Sequence, residues 1–265
     1  MRNDFQHVLV QVDEGVLTVT MNRPAVLNAF NDLMIQELTE VIEAATHDEQ
    51  VRCLILTGAG RAFGAGQDLS IFVQERSSSD GQRTTDHLQL YHHLIQGLRS
   101  IPKPVIAAIH GAASGISLNI ALACDLRIAT DNARLSEAFA RIGLVPDGGG
   151  AYFLTRLLGS AKALELALLA NEISGAEAER LGLVNRCVPL AEFEETTRAL
   201  ARRLADGPTQ TYGLIKALFQ QSQDKDLAAV LQLESAFQTK ALATADHQEG
   251  VQAFLQKRPP HYTGK

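Results

Sequence analysis

The sequence predicts an α/β fold of stacked ββα turns followed by a helical C-terminal region. Three observations lead there. Short β-rich runs alternate with helical ones over the first two thirds of the 265 residues. A unit of apolar strand, glycine loop and helix occurs twice, around residues 64–69 and again around 111–119. From about Ser160 the texture becomes helical and alanine-rich. Periodicity alone does not separate stacked turns from an open doubly wound sheet. Repetition of the unit favours the former.

Residues 16–21 (VLTVTM) alternate as a strand does, and residues 31–45 set Leu33, Met34, Leu38, Val41, Ile42 and Ala45 on one helical face. Asn31 suits the N-cap, because its side chain can accept from the unpaired N–H groups of the first turn. Residues 51–57 (VRCLILT) form a continuous apolar strand of the kind covered on both faces. A turn-rich stretch, 58–66, follows it. The polar run 77–85 (SSSDGQRTT) reads as a mobile surface excursion, and 86–98 as a helix. Pro102 and Pro104 introduce strand 105–109, then glycine loop 111–115, helix 116–123 and strand 126–130. Helical runs at 151–158, 160–170, 174–181, 190–205, 209–221, 227–243 and 246–256 complete the chain. Leu227, Val230, Leu231, Glu234 and Phe237 form one seam, and Val251, Phe254 and Leu255 another. Such wide apolar faces dock on another subunit or pack on their own domain.

Thirty acidic residues against 24 Lys and Arg leave a net charge of −6 with no basic run, which argues against a nucleic-acid partner. Any anionic ligand must be held by local features. Cys53, Cys124 and Cys187 are odd in number and set in apolar runs, so they read as reduced, buried cysteines rather than a disulfide or zinc framework. Polar and charged residues at positions 1–4 replace the apolar core of a signal peptide, and a cytoplasmic location is expected. Residues 105–124 carry no Asp, Glu, Lys or Arg, and a run of about 20 apolar residues could span a bilayer. However, His110, Gly111, Ser114, Gly115, Ser117 and Asn119 interrupt it, so strand, loop and buried helix is the better reading and no membrane contact is expected. His92 and His93 are adjacent and diverge as surface residues. No metal site and no G-x-S-x-G nucleophile elbow is found in the sequence.

Three glycine segments could carry chemistry. The first, 58–69 (GAGRAFGAGQDL), places Phe63 where a dinucleotide fingerprint needs its third glycine. What it can offer is backbone N–H groups brought close to a ligand. The second, 110–117 (HGAASGIS), runs straight into a helix whose first N–H groups favour an oxyanion. Two such loops converging would make a two-donor oxyanion hole, whereas each alone is an ordinary strand-to-helix turn. The third, 142–150 (IGLVPDGGG), holds Asp147. That residue is either a turn or capping aspartate, or a carboxylate whose burial raises its pKa toward that of a general base.

Together and in order, these segments resemble the crotonase (enoyl-CoA hydratase/isomerase) superfamily over essentially the whole chain. The matching residues are Asn22-Arg23-Pro24 with Leu27-Asn28-Ala29, Ala62-Phe63 with Ala65-Gly66-Gln67-Asp68-Leu69, His110-Gly111, and Ala121 to Asp125. Residues 142–149, Glu249-Gly250 and 254–258 continue the match. The resemblance implies a crotonase-like spiral of ββα units over 1–200, which carries the coenzyme A site. It further implies a helical oligomerisation region over 201–265 that builds a homotrimer or a hexamer of paired trimers. The implied ligand is an acyl-CoA thioester, with no cofactor beyond the coenzyme A of the substrate itself.

Carried over by position, the family's oxyanion donors fall on the backbone N–H groups of Gln67 and of Ile116, just after Gly115. Coenzyme A contacts fall near Arg23, Val26 and Leu27, the adenine pocket near Ala65 and Leu69, a further substrate-binding position on Asp68, and a phosphate contact on Lys257, supplied by this subunit or a neighbour. The family's hydratases use two glutamates, and the matching positions here are Asn119 and Phe139. Neither does acid–base work. Asp147 matches the acid of the Δ3,Δ2-enoyl-CoA and 1,2-epoxyphenylacetyl-CoA isomerases. The implied reaction is therefore an isomerisation through an enolate, shifting a double bond or rearranging a ring epoxide toward an oxepin, inside apolar walls from Phe139, Ile116 and Leu144. Two alternatives stay open: a 2-enoyl-CoA hydratase using Glu137 or Asp147 with a water, and a non-catalytic acyl-CoA-binding protein. The far wall of the acyl pocket is expected from residues 71–98.

Overall fold

A computed structural model describes residue 2 and residues 4–70 and 81–265. The chain opens with an antiparallel pair, β1 (Val8–Asp13) and β2 (Val16–Met21), turned by Glu14 and Gly15. Helix α1 (Asp32–His47) follows, and the Asn31 side chain accepts from Met34 N as its cap demands. Strand β3 (Cys53–Gly58) then pairs in parallel with β2. Parallel pairing continues through β4 (Val105–Ile109), β6 (Leu126–Thr130) and β9 (Arg186–Val188), giving the six-stranded order β1-β2-β3-β4-β6-β9. A second sheet of three short strands, β5 (Ala112–Ser114), β7 (Arg134–Ser136) and β8 (Ile173–Ser174), lies beside it.

Two successive turns of the chain each give one strand to the large sheet, one to the small sheet, and then a helix. In one turn these are β4, β5 and α3 (Ile116–Ala123). The next contributes β6, β7, a 3-10 turn (Ala138–Ile142) and α4 (Gly150–Leu169). All eight residues of α3 are buried, so the charge-free stretch 105–124 is interior. No described helix is long and apolar enough to cross a membrane. The two helical runs read at 151–158 and 160–170 are the halves of α4, parted by Gly159 at φ 74°, ψ 161°.

Helix α2 (Gly81–Ser100) corrects the sequence reading. Residues 81–85, expected in a polar surface excursion, are its first turn, while 77–80 lie outside the described residues. Polarity distinguishes surface from core, not loop from helix.

The C-terminal helices are α5 (Gly175–Leu181), α6 (Phe193–Ala205), α7 (Thr209–Ser222), α8 (Leu227–Leu242) and α9 (Ala245–Gln256). α6 covers the outer face of the large sheet through Cys53, Ile55, Ala201 and Ala205. A cavity between that face and α6, lined by Thr18, Thr57, Phe193 and Arg202 among others, touches none of the three glycine segments. In contrast, α8 buries none of its residues, and Leu227, Leu231, Phe254 and Leu255 stand exposed. Cys53 and Cys124 are buried and unbridged, with thiols pushed by burial up to about 12. Cys187 is only half-buried.

Candidate active site

The first two glycine segments leave neighbouring strands of the large sheet, β3 and β4, at the same end. An isolated parallel bridge, Gly64 to Ala113, ties them together, with Gly64 N donating to Ala112 O at 2.9 Å and Ser114 N to Gly64 O at 3.1 Å. Nearly every amide here is spent. Phe63 N donates to His110 O, Ala65 N to Leu27 O, Gly66 N to Ser117 Oγ, Asp68 N to Phe30 O and Gly115 N to Ser136 O. Among the described residues, Gln67 N and the first-turn amides of α3, beginning with Ile116 N, have no acceptor. An unpaired N–H is normally avoided in a folded interior. Gln67 N and Ile116 N are therefore open donors on two adjacent loops.

Three side chains hold this frame: Asn28, which sequence reading placed only within a matching motif, and Arg23 and Asp68, which it read as ligand contacts. Asn28, fully buried at φ 55°, donates through Nδ2 to Ala59 O (2.9 Å) and Ala62 O (2.8 Å) and accepts Arg23 N (2.9 Å). It fixes the turn after β3. Arg23 Nη2 pairs with Asp68 Oδ2 at 3.0 Å, and its other arm reaches Ala29 O. Ser70 and then Arg23 hold the Asp68 carboxyl below its usual range. Arg23 and Asp68 therefore brace the loop as a pair, whatever further contacts Arg23 makes. Gly66 sits at φ 96°, where a side chain would be strained and would press on Ser114 O.

Asp147 lies in the third segment, just before α4. Its main-chain oxygen accepts Asn119 Nδ2 at 2.8 Å and Gly150 N at 2.9 Å, while its Oδ1 is buried with no partner among the described residues. Burial pushes this carboxyl up to about 6, against the opposing charge of His87. Asn119 thus occupies a family glutamate position as a strut for the Asp147 backbone. Phe139 is buried and faces Gly115: a Cβ on that glycine would lie 3.7 Å from the ring. Ile116 is also buried, but Leu144 is half exposed, so within this chain the apolar wall rests on Phe139 and Ile116.

Of the expected far wall, residues 71–80 lie outside the described residues, and α2 supplies two side chains one turn apart. Tyr91 is buried, and its hydroxyl donates to Gln67 Oε1. His87 stacks edge-on against Tyr91 at 5.1 Å and meets Asp32 Oδ1 through Nδ1 at 2.7 Å. Burial, then the charges of Asp147 and Asp32, raise the Tyr91 phenol above its ordinary range. The i, i+4 spacing of His87 and Tyr91 is visible in the sequence. Their partners lie 55 and 24 residues away, beyond any local signal.

Val26, Ala65 and Leu69 are exposed and apolar at the rim, in keeping with a ligand face. Lys257 caps the end of α9. The tail beyond it is tied by Arg52 at the start of β3, whereas the glycine loops leave the other end of that strand. No described bond brings Lys257 to the loops within one chain.

A spiral of ββα turns with two open amides at the end of neighbouring strands defines a crotonase-fold protein. A model of the enoyl-CoA hydratase/isomerase family matches residues 11–265, and the chain belongs to that family. Over 261 residues the chain is 40% identical to the 1,2-epoxyphenylacetyl-CoA isomerase of Escherichia coli strain K12, covering 98% of this chain and 100% of that protein. It is 41% identical over 261 residues to a Rhodobacter capsulatus protein described as a probable enoyl-CoA hydratase, covering 98% and 99%. The crystal structure of enoyl-CoA hydratase from Bacillus anthracis matches with a TM-score of 0.92 at 32% identity, covering 98% of this chain and 100% of that one.

Proposed function

We propose that the chain is an acyl-CoA isomerase in which Asp147 is the proton-transferring base. One observation carries this reading. Asp147 offers an unpartnered carboxylate oxygen in the site, while positions 119 and 139 hold a strut and a wall. The thioester oxygen sits between the N–H groups of Gln67 and Ile116, which stabilise the enolate and acidify the neighbouring carbon. Asp147 takes a proton from that carbon and returns it elsewhere on the same molecule. A carboxyl raised to about 6 is ionised at neutral pH yet basic enough for this task. One carboxylate suffices, because the proton is moved rather than consumed.

The substrates are a 3-enoyl-CoA, whose double bond shifts, or a ring 1,2-epoxyphenylacetyl-CoA, which rearranges toward an oxepin. The name of the E. coli relative supports the second. Val26, Leu27, Ala65 and Leu69 receive coenzyme A, with Arg23 on one side and Lys257 of this or a neighbouring subunit on a phosphate. No other cofactor is required. The exposed faces of α8 and α9 assemble the chain into a trimer or a pair of trimers, and the enzyme works in the cytoplasm.

The 2-enoyl-CoA hydratase is the second reading, favoured by a further buried carboxyl, Glu137, in the same site. Product mass separates the two. Incubation with a mixed acyl-CoA panel should give products of unchanged mass, and Asp147→Asn should abolish them while acyl-CoA binding persists. Products heavier by one water would establish hydration instead. Binding without any product would leave an acyl-CoA-binding protein.

A further inference from the structure

Glu137 follows the last residue of β7 beside the second glycine loop, where the preceding Ser136 O accepts Gly115 N. It is only 2% exposed, and neither carboxyl oxygen has a partner among the described residues. The oxygens around it are acceptors as well. Asn119 Oδ1 and Asp147 Oδ1 are likewise buried without a donor, and the Asn119 amide lies beside the Glu137 carboxyl without completing a hydrogen bond to it.

Charged groups on the surrounding elements offer no compensation. Helix α3 carries no ionisable side chain. On β7, Arg134 turns outward to Ala133 O. Within the 3-10 turn, Arg141 is spent on Ala170 O and Glu172. From α2, His87 and Tyr91 bear on Asp147. The charge that reaches Glu137 is that of Asp147, which has the same sign. An ionised Glu137 would be a buried, unpaired anion beside another, the costliest state such a group can take. A proton removes the charge and supplies the donor this cluster of acceptors lacks.

We infer that Glu137 stands as a neutral carboxylic acid next to Asp147, a positioning residue that keeps Asp147 the single ionised carboxyl of the site. This rests on the proposed isomerase reading for its catalytic meaning. A second carboxylate beside the Gly115–Ile116 turn would oppose the negative charge that develops on the thioester oxygen. It would also compete with Asp147 for one proton. Burial, opposed by the neighbouring Asn119 amide and reinforced by Asp147, accordingly pushes Glu137 up to about 8.

A folded-state carboxyl raised in this way binds its proton more tightly than the unfolded chain does. Its contribution to stability is complete below the unfolded value, near 4.5, and is lost as pH rises toward 8. Glu137→Gln keeps shape and a donor but cannot ionise. The gain in Tm of this variant over the parent should therefore be larger at pH 8 than at pH 5, and the fall of kcat/KM above about pH 8 should disappear. In the unaltered protein, isotope-edited infrared titration should show a protonated glutamic carboxyl persisting to about pH 8, in a band absent from Glu137→Gln. A carboxylate already ionised at pH 6.5, or a Tm loss in Glu137→Gln that grows with pH, would overturn the inference. Infrared and Tm need no substrate, so a protein that fails to isomerise any acyl-CoA could still show both signatures.

Discussion

The side-chain amide of Asn119, in the middle of a fully buried helix, donates to the main-chain oxygen of Asp147 at 2.8 Å. The bond joins the helix that carries one open amide to the residue that carries the carboxylate. Asn119→Ala leaves that oxygen with Gly150 N alone and frees the turn to shift. Misplacing a reacting group by about 1 Å can cost about 10²-fold in rate. The expected outcome is a fall of about 10- to 100-fold in kcat with KM little changed, read from steady-state kinetics on the substrate found by product mass.

Asp147→Asn removes the base and keeps the volume. Isomerisation should fall by about 10²–10⁴-fold, the usual worth of a positioned general base. The parent enzyme should show the same group in its pH profile. Protonation of Asp147 destroys the base, so kcat/KM should drop as pH falls below about 6, rather than below the ordinary aspartate value of 3.8. An acid limb that survives unchanged in a slow Asp147→Asn variant would assign the base elsewhere.

Asn28→Ala tests the frame rather than the chemistry. One buried carbonyl, one half-buried carbonyl and one amide lose their partner, and alanine must hold the left-handed φ that asparagine tolerates. A loss of about 2–4 kcal/mol is expected in urea unfolding. Asn28→Asp, which keeps the acceptor but not the donors, should lie between parent and Ala.

Gly148→Ala probes the contact between the base and the oxyanion helix. The backbone there has φ 55°, and a Cβ would run into Ile116 Cδ1. Strain of about 1–2 kcal/mol follows from the backbone alone. Because the displaced side chain belongs to the residue whose amide is open, turnover should suffer more than stability. Comparing kcat with the thermal midpoint of the same preparation checks this.

Much of the scaffold could be read from local pattern. Asn31 as a cap, the buried run of β3, the exact extent of α3 and the division of α4 at Gly159 all follow from side-chain period and backbone preference. Strands β5, β7 and β8 could not, since two or three residues hold no period and become strands only through a partner. The same limit governs the site. Open amides announce themselves through glycines, and Asp147 through its glycine-flanked turn. Asn28, Ser117 and the Asp32–His87–Tyr91 group work through partners on other turns of the spiral. An asparagine or tyrosine looks the same in sequence whether it braces a loop or faces solvent.

Gln67 and Ile116 each lie three residues beyond their member of the Gly64–Ala113 bridge. That bridge is a rung of parallel sheet, so the two loops set out from strands about 4.8 Å apart. The ruler that sets the proposed oxyanion loops side by side is thus the peptide backbone, with the same gauge in every parallel sheet. Side chains can be exchanged around it without altering its scale.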